Sequence, residues 1–423
     1  MTQEAAAQDR CPTVYLHIGT PKSGTTYLQR LLGRNRKRLA AQGVLWPGRT
    51  WVDQVHAVRD LANIHPFDHR SADVAGAWQR LVDEIHAWQG HSAVVSMEWL
   101  VDAKPRHIRR SIETLAPAQV HVVVTARDLA RNIPADWQED TQNWSTCGWQ
   151  DYLAAVRNPE SAAIDTGRRL WGQQDVGAIL RRWGKVVPAE RLHVVTVPPQ
   201  GTDPQVLWQR FASVIGIDAE GFGTPPKTSN ASLGVVSAEL MRRINTLGHE
   251  RGLGWKASGR ILKQVFAKRV LTKRKSREPA LALPEDLYPW AIEQGKRLAT
   301  EVEETGAHVW GDLAELIPDP ANAREGITPD EVTDSELLEA ALEGIVGLVG
   351  EVNRMLEAGQ DNNTAPSQTS KPPFRLSTAT ETAKLALLRR ARRGGLAGAL
   401  HRGWRAARYR VRATQRRITR PSR

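Results

Sequence analysis

Thr13-Val-Tyr-Leu-His-Ile-Gly-Thr-Pro-Lys-Ser-Gly-Thr-Thr-Tyr-Leu28 is the stretch on which the fold turns. Thr13 to Ile18 is a short apolar run closed by Gly19, the pattern of a strand buried on both faces. A loop of Gly, Pro, Ser and Thr follows over residues 19–26. Leu28, Leu31, Leu32 and Leu39 then mark one face of a helix that ends near Gly43. A loop of this kind between strand and helix suits a phosphate group. Successive backbone N–H groups point inward, the helix start attracts anions, and Lys22 adds a point charge. The order is not that of a Walker A loop, G-x-x-x-x-G-K-[ST], because Lys22 precedes Gly24. That disfavours a nucleoside-triphosphate kinase or ATPase.

Working outward, the same alternation repeats. A helix is expected at 72–89, with Val74, Trp78, Leu81, Ile85 and Trp88 at steps of three and four. Ala93–Met97 reads as a buried strand. Pro105 opens a helix carrying Ile108, Ile112 and Leu115. Val120–Thr125 is the clearest strand, and a helix starts after it near Asp128 or Leu129. Pro134 is tolerated there only in the first turn or at a kink. Leu192–Val197 is a fourth strand. The expectation is an α/β, P-loop-like three-layer fold, a central parallel sheet flanked by helices, with a helical C-terminal extension. The α/β domain is expected over 12–318. Its second half, 204–318, reads as mainly helical, with helices around 236–247 and 286–304.

After Pro318 the character changes. Residues 330–358 form a helical segment with Leu338, Ala341, Ile345, Leu348, Val352 and Met355 on one side. That spacing fits a coiled-coil seam, hence a homodimer, and equally a helix packed on its own body. Residues 359–382 have the composition of a disordered linker. Residues 383–423 form an Arg-rich tail in which Leu396, Leu400, Trp404, Ala407 and Val411 fall at helical spacing.

Charge is split along the chain. Residues 371–423 hold 16 of the 58 Lys and Arg and one acid, Glu381, so the remainder carries 42 cations against 45 acids. The basic character belongs to the tail, and the body gives no reason to expect nucleic-acid binding. An anionic membrane surface is the favoured partner for the tail. An acidic acceptor, nucleic acid and a purely solvated extension are the alternatives. No run reaches the length of a membrane span, and residues 1–10 lack the apolar core of a secretory signal. Two cysteines are too few for a disulfide framework or a cysteine-rich metal site. The expectation is a cytoplasmic protein, peripheral at the inner membrane surface through its tail, that needs no metal.

Pro21-Lys-Ser-Gly-Thr-Thr26 resembles the 5′-phosphosulfate loop of the sulfotransferases that use 3′-phosphoadenosine 5′-phosphosulfate (PAPS), in particular their bacterial members. The resemblance spans roughly residues 12–218. It implies that Pro21, Lys22, Ser23, Gly24, Thr25 and Thr26 hold the 5′-phosphosulfate of PAPS, and that Lys22 stabilises the leaving oxygen. It implies that Tyr27 stacks on adenine; a core aromatic is the other reading. The family's second motif is an arginine after a later strand, with a serine eight residues on, both gripping the 3′-phosphate. Arg127 matches, but Ala135 stands at the serine position. Arg131, Asn132 or a backbone N–H would then have to compensate. Asn230–Gly234 and Val309–Leu313 also look like segments of bacterial sulfotransferases, with capping and packing as the expected reasons.

Sulfuryl transfer to a hydroxyl or amine of an unknown acceptor, such as a carbohydrate or small molecule, needs in-line placement and a base. The base should come from a neighbouring strand end. Ala93-Val-Val-Ser-Met-Glu98 delivers Glu98 there, and the resemblance allows a glutamate in that role. His56 is the second candidate, in a region that reads as a loop after Trp46-Pro-Gly48. His17 is expected to pack or hydrogen-bond the loop. Asp136 and Glu139 face either the cleft or water. Two other readings stay open: a catalytically degenerate scaffold of the same fold, which Ala135 favours, and an unusual P-loop kinase.

Overall fold

The computed structural model describes residues 12–63, 73–160, 164–223, 233–255, 259–323 and 325–361. The chain divides into two compact units, Met1–Leu356 and Glu357–Arg423. The first carries the sheet and the cleft. From residue 362 on, the second lies outside the described residues, as do the expected tail helix and Asn230-Ala-Ser232.

In chain order β1 (Thr13–Gly19) leads to α1 (Thr25–Arg34) and α2 (Arg36–Ala41), then β2 (Val44–Leu45), α3 (Trp51–Ala62) and α4 (Ala77–His86). Next come β3 (Ser92–Ser96), a 3₁₀ turn at Glu98–Asp102, α5 (Pro105–Leu115) and β4 (Val120–Ala126). Four helices follow: α6 (Leu129–Gln142), α7 (Trp149–Arg157), α8 (Thr166–Gln174) and α9 (Val176–Trp183). After β5 (Leu192–Thr196) come α10 (Pro204–Val214), α11 (Val235–Glu250) and a π-helix at Arg260–Val270. The described chain ends with α12 (Tyr288–Glu304), β6 (His308–Trp310) and α13 (Asp334–Asp361).

The six strands form one sheet in the order β2-β3-β1-β4-β5-β6, and every pairing is parallel. Val14, Leu16 and Ile18 of β1 pack under α3, α4, α5 and α9. Val94, Val123 and Val195 face the opposite layer, built on α1, α2 and α10. Strands buried on both sides read as continuous apolar runs, which is why β1, β3, β4 and β5 are legible. A third cluster holds α6, α7, α8, α11, the π-helix and α12 together. The chain leaves β1 toward β3 first and toward β4 later, so the strand order reverses at β1. That places the crevice beyond the carboxyl ends of β1, β3 and β4.

Two expectations change. Residues 51–62 are helical, not a loop, because Thr50 and Asp53 form a capping box, with Thr50 N–H donating to Asp53 Oδ2 at 2.8 Å. The 72–89 periodicity is helical only over Ala77–His86. Val309 and Trp310 add an edge strand beside β5, while the expected capping and packing of that segment hold: Asp312 accepts from the Ala314 amide at 2.8 Å and Leu313 packs on the core. Pro134 falls in the second turn of α6, so it withholds an amide from the Ala130 carbonyl, and both residues border the cleft.

Candidate active site

Gly19 at φ 118°, Lys22 at φ 65° and Gly24 at φ 83° turn the chain out of β1 and into α1. Lys22 takes the left-handed conformation without being glycine, at a cost of about 1–2 kcal/mol that the surrounding frame must offset. That frame is buried. Ser23 Oγ donates to the Thr20 carbonyl at 2.5 Å and lies 2.6 Å from Thr125 Oγ1 on β4. His17 spans from Ser96 Oγ at 2.7 Å to Thr125 Oγ1 at 3.2 Å. Its burial drives the imidazole pKa down to about 3, so it is a neutral strut. The Ser23 hydroxyl thus serves the loop itself. Thr25, Thr26, Lys22 and the α1 start border the cleft, and no side chain caps that helix.

The cleft has a volume of about 1510 Å³. Pro21, Lys22, Gly24, Thr25, Thr26, Tyr27, Glu98, Arg127 and Arg131 all border it, and His56 does not. Half-buried His56 sits mid-way along α3, near Asp53. Glu98 begins the turn after β3, beside Gly19. Gln29 on α1 donates to Glu98 Oε2 at 2.8 Å and to the Ser96 carbonyl at 3.3 Å, which fixes the carboxylate toward the loop. Arg127 donates from Nε to Asn132 Oδ1 at 2.7 Å and to the Arg131 carbonyl at 2.9 Å. Asn132 in turn donates to Gln174 Oε1 at 2.7 Å. Arg131 is committed to structure: it pairs with Asp128 and donates to the Pro198 carbonyl at 2.8 Å and the Val197 carbonyl at 3.2 Å. Tyr27 packs at the edge of the α1–α10 layer, and burial first, then Asp203, raises its pKa to about 12.

Asp136 and Glu139 both face the cleft, in different company. Glu139 bridges two lysines, Lys22 Nζ at 2.8 Å and Lys263 Nζ at 2.6 Å. Burial opposes its charge, but the two ammonium groups win and hold its pKa far below the usual carboxylate range. Lys263 and Lys268 lie five residues apart. A π-helix, bonded i→i+5, brings such a pair to one side, and both border the cleft. Arg169 grips Asp136 at 2.9 and 3.3 Å and also holds Asp140, while Tyr152 Oη donates to Asp136 at 2.9 Å. Burial and the neighbouring Asp136 charge push the Asp140 pKa up to about 7 against the pull of Arg169. Trp51 and Trp99, each 38% exposed, complete the wall near Glu98. Among the described residues no three His, Cys, Asp or Glu side chains gather as a metal site.

Sequence reasoning missed several cleft residues, among them Gln29, Trp51, Trp99, Arg169, Lys263 and Lys268. Gln29 had a faint signal, a polar residue interrupting the apolar face that follows the loop. Lys263 had none, because α-helical spacing would put it on the opposite side from Lys268.

No family model and no curated protein matches the chain. Among solved structures, it is similar to the crystal structure of a sulfotransferase from Alicyclobacillus acidocaldarius. The identity is 14%, over 57% of this chain and 95% of that one, with a TM-score of 0.34. A likeness that loose decides neither fold nor reaction, which rest on the residues above.

Proposed function

We propose that the protein is a sulfotransferase that moves a sulfuryl group from PAPS to a hydroxyl or amine acceptor. The observation that carries this reading is the convergence of three parts on one cleft at the strand-order reversal. They are the Pro21–Thr26 loop after β1, Glu98 after β3 and Arg127 after β4. The loop fits a phosphosulfate because its helix start lacks a side-chain cap and Lys22 stands beside it. Arg127 is pre-oriented for a 3′-phosphate by Asn132, and its fork suits that group. Ala135 contributes no hydroxyl there, and Arg131 is occupied elsewhere, so the site relies on Arg127 and backbone donors.

PAPS supplies the sulfuryl group. Glu98 takes the proton from the acceptor oxygen as that oxygen bonds to sulfur and the bond from sulfur to the phosphate oxygen breaks. Lys22, released from Glu139, and the α1 amides stabilise the charge that collects on the departing phosphate. Trp51 and Trp99 border the cleft with Glu98, and exposed indoles there favour a carbohydrate or other ring-bearing acceptor.

Calorimetric titration with 3′-phosphoadenosine 5′-phosphate, with ADP as control, tests the reading in wild type and Lys22→Ala. Micromolar binding that prefers the 3′-phosphate ligand and weakens about tenfold to a hundredfold in the variant is expected. Absence of binding, or equal affinity for ADP, overturns it.

A further inference from the structure

Half of the sixteen large apolar side chains exposed among the described residues lie on one helix, α13. Six follow steps of four and three without a break: Leu338 at 61% exposure, Leu342 at 57%, Ile345 at 58%, Val349 at 54%, Val352 at 45% and Leu356 at 58%. This is a heptad seam. It differs from the one that spacing alone suggested, because Leu348 and Ala341 turn partly inward. The inner face of α13 is already satisfied. Gly344 sits against Phe266 and Gly347 against Val270, so the helix lies close on the π-helix. Glu343 pairs with Arg274, and buried Glu351 pairs with Lys273 at 3.5 Å and Arg354 at 2.9 Å. The body therefore fixes which face points outward.

We propose that this face is a homodimer interface, covered by α13 of a second copy. Area supports it. The exposed apolar surface is on the order of 800 Å² per chain, the amount each partner buries in a standard interface and more than a monomer usually leaves in water. Register supports it, because three heptads of the same repeat are self-complementary about a two-fold axis. Charge supports it as well. The positions flanking the seam are Ala341, Leu348 and Met355 on one side and Glu339, Val346 and Asn353 on the other. Only Glu339 carries a charge, so two copies can approach with little like-charge repulsion.

Sedimentation equilibrium on the full chain, across a concentration series, tests this. Wild type should dimerise with a dissociation constant of about a micromolar or tighter. Ile345→Glu with Val349→Glu buries two unpaired charges at the seam and should weaken the dimer at least about a hundredfold. Both side chains are exposed, so at concentrations low enough for both to be monomeric the variant should keep the wild-type melting curve, and only wild type should gain in melting temperature as concentration rises. Ile345→Leu with Val349→Leu should dimerise like wild type. A wild type that is monomeric at every concentration overturns the proposal, as does a dimer indifferent to the paired glutamates. A monomer that sediments with phosphatidylglycerol vesicles, and loses that binding in the Glu variant, overturns it in favour of a lipid surface.

Discussion

At the scale of single residues, the cleft separates groups that hold from groups that act. Glu98 is aimed by the neutral side-chain amide of Gln29. Glu98→Gln should lower turnover by about a hundredfold to ten-thousandfold while binding of 3′-phosphoadenosine 5′-phosphate stays unchanged. Joint loss of both would assign Glu98 to nucleotide binding instead. Asp140 makes a pH prediction. Its folded pKa lies above the unfolded value, so the folded state holds a proton that the unfolded state has released between about pH 4 and pH 7. Its contribution to stability therefore falls as pH rises through that window and is level above it. Asp140→Asn should remove that downward slope from the melting temperature measured between those pH values. An unchanged slope would place the raised pKa elsewhere. His17, Ser23 and Thr125 show how far sequence reaches here. The loop residues were identifiable from their order, but the inward role of the Ser23 hydroxyl depends on Thr125, about a hundred residues away, and no local pattern reports it.

At the scale of elements, the four longest strands were legible because burial on both faces writes them as unbroken apolar runs. Two-residue β2 and exposed β6 carry no such run, and their pairing comes from neighbours distant in sequence. The helix at Trp51–Ala62 went unread because Trp46-Pro-Gly48 just before it signals a loop, whereas Thr50 and Asp53 cap it. The contact between α7 and α8 rests on Gly167, where an added Cβ would collide with the Ala155 carbonyl. Gly167→Ala should cost about 1–3 kcal/mol, read as a lower denaturation midpoint at unchanged m-value. Wild-type stability in that variant would mean the two helices can separate freely.

At the scale of the molecule, the charge division and the topology do different work. The layered parallel architecture was readable from alternating strands and helices, whereas the strand order and the placement of the π-helix at the cleft were not, since both are set by tertiary packing. No helix among the described residues is long and apolar enough to cross a membrane. The excess positive charge belongs to residues 371–423. The expectation that this tail docks on an anionic surface, where each basic residue is worth about 1 kcal/mol, is tested by sedimentation with phosphatidylserine vesicles at low salt: the full chain should sediment and a chain lacking residues 371–423 should not. Equal sedimentation of both forms would overturn that role for the tail.

The clasp of Lys22, Glu139 and Lys263 makes ligand capture an exchange rather than a filling. On the proposed reading, an arriving phosphosulfate competes with a carboxylate tethered at the same place, and that carboxylate is ready to return as soon as the product loosens. Glu139 then acts as a built-in eluent: it weakens capture and hastens discharge. Glu139→Gln should accordingly bind 3′-phosphoadenosine 5′-phosphate more tightly, release it more slowly in stopped-flow displacement, and accumulate product-bound enzyme at steady state.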